Sequence, residues 1–125
     1  MAKATGFTDG ELRIMRVLWE RGASTVQDIQ SRLEEPLEES SIRTFLSILE
    51  RKGKVTREKA GRAYVYEAAA DRVTTRQRAV RQLIKRFFAT PSELVLSVVD
   101  AEELSEEELA RLRQALERHQ SRKRK

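Results

Sequence analysis

One stretch limits what this chain can fold into more than any other: SSIRTFLSILERKGKVTREKAGRAYVY, residues 40–66. Ile42, Phe45, Leu46 and Leu49 recur at i, i+3, i+4 and i+7, which gives a helix one apolar face. The spacing predicts a helix from about Ser41 to Lys52, opened by hydroxyl residues and ended by Gly53. Val55–Glu58 and Ala63–Tyr66 read as two strands around a loop Lys59–Arg62, in which Gly61 can take a positive φ. In the second strand Tyr64 and Tyr66 share one face, with Ala63 and Val65 on the other. Between Arg43 and Arg62 stand seven Lys/Arg and two Glu, an excess equal to the formal net charge of the whole chain, +5. A helix that keeps Arg43, Thr44 and Ser47 on its polar side, followed at once by a cationic hairpin, is the outline of a winged helix-turn-helix.

The segments on either side fit that outline. Thr8 is a plausible N-cap, with Asp9 and Glu11 in the first turn, for a helix bearing Leu12, Met15, Leu18 and Trp19 up to Gly22. Ser24 with Gln27 reads as the capping box of a second helix carrying Val26, Ile29 and Leu33, and Pro36 marks the loop after it. Beyond Asp71 the pattern is helical again. A long helix fits about Val73 to Ala89, Thr90-Pro91-Ser92-Glu93 caps a short one from Leu94 to Val99, and Ser105 with Glu108 caps a last one. The terminal RKRK is expected to be disordered. The fold class is therefore mainly α with a small β-hairpin wing. The expected domains are a winged-helix DNA-binding domain over 1–70 and a helical dimerisation domain with a basic tail over 71–125.

Charge and composition narrow the function. A pI near 9.9 favours an anionic partner without choosing between DNA, RNA and lipid. Charge is also segregated: Arg72 to Arg86 holds six bases and no acid, and Glu93 to Glu117 holds eight acids and two bases, blocks expected to attract one another within the fold. The chain has no cysteine, which removes disulfides and thiolate metal sites and suits a reducing cytoplasm. It has no apolar run long enough for a membrane span and no hydrophobic signal core in MAKATGFTDG, so a cytoplasmic protein without membrane insertion is expected. There is no Gly-rich phosphate loop and no cysteine nucleophile, and His119, the single histidine, lies among polar residues with no organising partner. No enzyme, cofactor or metal site is expected.

The candidate reader is the third helix. Arg43 can reach guanine, Thr44 a thymine methyl, and Ser41 or Ser47 a phosphate or base. The competing reading is an ordinary solvated helix face. Arg57, Lys59 and Arg62 are candidate phosphate contacts, against the alternative of a charged edge that resists strand aggregation. Arg57 has an uncertain facing, and Lys52 and Lys54 can serve either purpose. Trp19 reads as core, and the tyrosines as packing the hairpin on the helices. Phe87, Phe88, Leu94, Leu96, Val98, Leu109, Leu112 and Leu116 give the C-terminal helices more apolar surface than so small a domain needs, and a second copy of the chain is the simplest cover.

On these residues the chain resembles the BlaI/MecI/CopY family of bacterial penicillinase repressors. The resemblance runs from about Phe7 to Glu117 and rests on TDGELRIMRVLWERGASTVQDI, SIRTFLSILERKGKV, GRAYVYEAA and SELVLSVVDAEELSEEELARLRQAL, in that order. It implies a homodimeric repressor whose winged helix binds a palindromic double-stranded operator of TACA/TGTA character. It carries the reader role onto Ser41, Arg43, Thr44 and Ser47 and the wing role onto Lys59 and Arg62. The copper-responsive branch has a cysteine-rich motif that is missing here. The β-lactam-responsive branch is inactivated by a membrane metalloprotease sensor at an Asn–Phe bond, where this chain has Ser97–Val98. The rival functions are a sequence-independent nucleic-acid binder and a protein-interaction adaptor built on the same scaffold.

Overall fold

The computed structural model describes residues 6–123 and divides the chain into two compact units that part inside one helix, between Leu83 and Ile84. In the first unit, α1 (Asp9–Arg21), α2 (Val26–Arg32) and α3 (Glu39–Arg51) precede a hairpin of β1 (Val55–Ala60) and β2 (Ala63–Ala68). α4 (Arg72–Phe87) then begins, and α5 (Pro91–Ala101) and α6 (Glu106–Lys123) follow in the second unit. Among the described residues no helix is long and apolar enough to cross a membrane.

α1 starts where Thr8 and Glu11 exchange bonds. Thr8 Oγ1 accepts from the Glu11 amide at 3.2 Å, and the Thr8 amide donates to Glu11 Oε1 at 2.9 Å. A cap of this kind is worth about 1 kcal/mol. Gly22, at φ +80°, ends the helix in a backbone conformation that other residues rarely adopt. The apolar stripes of α1, α2 and α3 then meet: Ile14, Met15, Leu18, Ile29, Ile42, Leu46 and Leu49 are buried together, joined by Phe7, Val55 and Tyr66. Trp19 packs at the edge of this cluster as expected, its Nε1 donating to the Ala70 carbonyl at 2.8 Å. At about 1.5–3 kcal/mol per buried large apolar side chain, this cluster is what holds the unit together.

Three expectations about the first unit's elements need correction. The second helix opens one residue later than Ser24, at Thr25, which shares a reciprocal box with Asp28 rather than Gln27. Ser24 is taken by another element: its amide donates to Tyr66 O at 2.9 Å and its carbonyl accepts from Tyr66 N at 2.7 Å, a single rung that ties α2 to the wing. α3 opens at Glu39, two residues early and with no side-chain cap, because Ile42 N already donates to Glu38 O at 3.1 Å. The wing strands are also longer than expected. Lys59 pairs with Tyr64 and Ala60 with Ala63, so Lys59 lies in β1 and the turn is only Gly61–Arg62. Gly61, at φ +65°, occupies the first central position, where a tight two-residue turn of this kind favours glycine.

In α4, Asp71 Oδ2 accepts from the Thr74 amide at 2.8 Å and from its hydroxyl at 2.9 Å. These bonds hold the Asp71 carboxyl below its ordinary pKa. α5 has Thr90 as N-cap and Pro91 at its first turn, and Ser105 and Glu108 cap α6 reciprocally. α6 continues through Arg122 and Lys123, so those two residues are helical rather than disordered; Arg124 and Lys125 lie outside the described residues. α4, α5 and α6 contain no buried residue.

Candidate nucleic-acid interface

α3 presents Arg43, Thr44 and Ser47 to solvent, while Ser41 is half-buried. The early start of α3 explains the difference. It places Ser40, not Ser41, on the exposed side one turn before Arg43 and Thr44, and the Ser40 carbonyl accepts the Thr44 hydroxyl at 3.0 Å. Arg43 is steadied by Glu39 one turn back, Nη2 to Oε2 at 3.2 Å, yet stays 60% exposed. A pair this exposed contributes little to stability, so the arginine remains available to an outside acceptor.

The wing brings Arg62 to the same side. A cleft is lined by Thr25, Val26 and Gln27 at the start of α2, by Arg43 of α3, and by Arg62, Ala63, Tyr64 and Tyr66 of the wing. Arg43 and Arg62, nineteen residues apart, therefore share one wall system. Lys59 is exposed on β1 across from Tyr64.

The strand register settles how Arg57 faces. It lies on the face of Val55 and Lys59, opposite Tyr66, and its guanidinium stacks on the Tyr64 ring at 4.3 Å while Nε meets Glu50 Oε2 at 3.2 Å. Hydrogen bonding to Tyr66, and then the charge of Glu50, raise the Arg57 pKa further. Arg57 thus braces the wing against α3. Tyr66 packs the hairpin on the helices as expected, whereas Tyr64 stays 40% exposed and serves the arginine.

Lys52 is also engaged. Its Nζ lies 2.8 Å and 3.1 Å from the two carboxylate oxygens of Glu11, which is 2% exposed. Burial alone would raise the Glu11 pKa, but the bonds from Lys52 and Thr8 outweigh it and hold the carboxyl below its ordinary value. The pair clamps the end of α3 to the start of α1. Lys54 lies over the Phe7 ring, 5.7 Å from its centroid.

Two residues of the cleft escaped sequence reasoning, Thr25 and Gln27. The signal that could have found them is the motif itself: in a helix-turn-helix the first helix of the pair crosses the DNA backbone beside the reader. The apolar residues of the C-terminal helices are mostly exposed, Phe87 at 73%, Leu96 at 58% and Leu116 at 62%, with Val98 and Leu112 also open and Phe88, Leu94 and Leu109 half-buried.

The profile described as penicillinase repressor matches residues 7–118. The penicillinase repressor of Bacillus licheniformis is 30% identical over 126 residues, covering 98% of both chains. An uncharacterized 16.5 kDa protein of Latilactobacillus sakei is 26% identical over 120 residues, covering 93% of this chain and 82% of its own. Among solved structures, YusO of Bacillus subtilis superposes with a TM-score of 0.57 at 16% identity, over 94% of this chain and 77% of that one, a likeness of fold.

Proposed function

This chain belongs to the penicillinase repressor family, whose members are transcriptional repressors and not enzymes, and from that premise we propose a homodimer that represses by occupying a palindromic operator. Residues 1–70 would read DNA and 71–125 would join the two copies. The observation that carries the reading is the shared cleft of Arg43 and Arg62, which joins a groove-sized helix to a cationic hairpin on one side of the molecule. Arg43, Thr44 and Ser47 meet base edges, Ser41 and Ser40 meet the backbone at the start of α3, and Lys59 and Arg62 grip the phosphates beyond it. Arg57 and Lys52 support these elements from behind.

Two copies place two such readers on DNA at a fixed spacing, and promoter occlusion follows from occupancy. Competition binding tests the reading. A palindrome of TACA/TGTA half-sites should bind about 10³-fold or more tightly than a scrambled duplex of equal length. Equal affinities for the two would leave a sequence-independent binder, and no affinity for either would leave a protein adaptor.

A further inference from the structure

The turn of α3 that precedes Arg43 and Thr44 already holds both. Thr44 Oγ1 donates to the Ser40 carbonyl at 3.0 Å, and Arg43 Nη2 donates to Glu39 Oε2 at 3.2 Å. Glu39 is the one partner of Arg43 among the described residues. It is the first residue of α3, where an acid suits the helix dipole, and a glutamate four residues before an arginine suits a helix surface. Those two effects would favour this acid on any helix. On a reader helix it also has a cost. Between Arg32 and Arg43 the chain has four acids and no base. A carboxylate brought up to the phosphates lowers affinity for DNA of every sequence, because the attraction that it offsets is the same for all of them.

Its effect through Arg43, by contrast, depends on sequence. A guanidinium has five N–H donors, and Glu39 takes one of them. The guanine edge, O6 and N7, needs two more in one plane, so Arg43 can meet guanine without leaving Glu39. The phosphates line the walls of the groove rather than its floor. An Arg43 that turns to a phosphate gives up Glu39 and leaves that carboxylate unpaired beside the backbone. We propose that Glu39 is a positioning residue for the reader: it presents the Arg43 guanidinium to a guanine edge and withholds it from phosphates. Discrimination between sequences rises while affinity for all of them falls. A side chain already held in place also loses less freedom when it binds. The proposal rests on the base-reading role given to Arg43 above.

Glu39→Gln keeps the shape of the side chain and removes its charge. Fluorescence anisotropy on the full chain, at one salt concentration, compares a TACA/TGTA palindrome with a scrambled duplex. The substitution should raise affinity for the scrambled duplex about five- to tenfold and leave affinity for the palindrome nearly unchanged. Discrimination should therefore fall about fivefold or more, a part of what one good base contact supplies. Arg43→Ala should lower discrimination by itself. In that background Glu39→Gln should raise affinity for both duplexes alike and change the ratio no further, because the group through which Glu39 acts is gone. Melting temperatures of the Glu39 forms should stay close to that of the unaltered chain, since an exposed pair of this kind adds little stability.

A ratio that Arg43→Ala lowers but Glu39→Gln leaves unchanged would overturn the proposal and leave Arg43 as the base contact. An equal fall from Glu39→Gln with and without Arg43 would overturn it too, and would make Glu39 a base contact in its own right, accepting from cytosine N4. So would a loss of discrimination that follows a loss of melting temperature, which gives Glu39 to the stability of α3. A ratio indifferent to Arg43→Ala would remove Arg43 from the reading of bases, and the proposal with it.

Discussion

Arg43 and Glu11 mark the two kinds of charged residue in this molecule, one held in the open and one built in. Arg43 sits on the polar side of α3 with a single exposed partner, Glu39. Arg43→Ala should cost about 1–3 kcal/mol of operator affinity and narrow the gap between operator and random DNA. Fluorescence anisotropy on both duplexes decides it: an equal loss on the two would reassign Arg43 to a phosphate. Glu11 is different, because its buried carboxylate carries Lys52 and the cap of α1 together. Removing one member of such a pair strands the other, and with Lys52 partly in water Glu11→Gln should destabilise by about 1–3 kcal/mol. The sign of the pH effect follows from the lowered pKa. The stabilisation is complete above the unfolded carboxylate value of 4.5 and is lost as pH falls through the lower folded value. Melting curves of both forms should therefore converge as pH falls through that lower folded value and separate towards neutrality; a constant gap would mean that ionisation of Glu11 is not what matters. Local chemistry was legible at this scale: Thr8 and Glu11 announce their cap because the residues that make it lie three apart. The Glu11–Lys52 clamp was not legible, since forty-one residues separate its members and only the fold brings them together.

At the scale of elements, periodicity was enough to find every helix and the hairpin, and the errors fell at element ends, one of them where two elements compete for one residue. Ser24 and Thr25 are equally good caps in sequence, and the pairing of Ser24 with Tyr66 of β2 decides between them. The wing strands outran their alternation because cross-strand pairing continues to Ala60 and Ala63, leaving Gly61 to make the turn. Gly10 conceals another such contact. A Cβ there would stand 2.7 Å from Phe45 Cε1, so the first turn of α1 packs directly on the reader helix. Gly10→Ala should gain up to about 1 kcal/mol of helix propensity. Overpacking against the Phe45 ring costs about 1–3 kcal/mol, so the net change should be destabilising. A raised melting temperature would show that the ring moves aside freely. In the wing, Lys59→Ala with Arg62→Ala should weaken binding to all sequences alike and flatten the dependence of log affinity on log salt by roughly one per lost contact per subunit. An unchanged slope would retire the wing as a phosphate grip.

For the whole molecule, the distribution of burial separates what can stand alone from what cannot. Every buried apolar residue described lies between Phe7 and Tyr66, and α4, α5 and α6 bury none. A chain ending after Asp71 keeps that core, the Trp19 bond to the Ala70 carbonyl and the whole Arg43–Arg62 cleft. It should fold and melt cooperatively. What it loses is Phe87, Leu96, Val98, Leu112 and Leu116, the exposed residues proposed to meet a second copy. Sedimentation velocity should then give a monomer for the shortened chain and about twice the formula mass of 14.4 kDa for the full one. Joining two readers makes the second half-site an intramolecular event, so separating them should lower affinity for a full palindrome by about 10²-fold or more. Affinity for a single half-site should barely change, because the reader itself is intact. A full-length monomer that still binds the palindrome tightly would break the link between the uncovered C-terminal helices and operator binding, and with it the dimeric mechanism of repression.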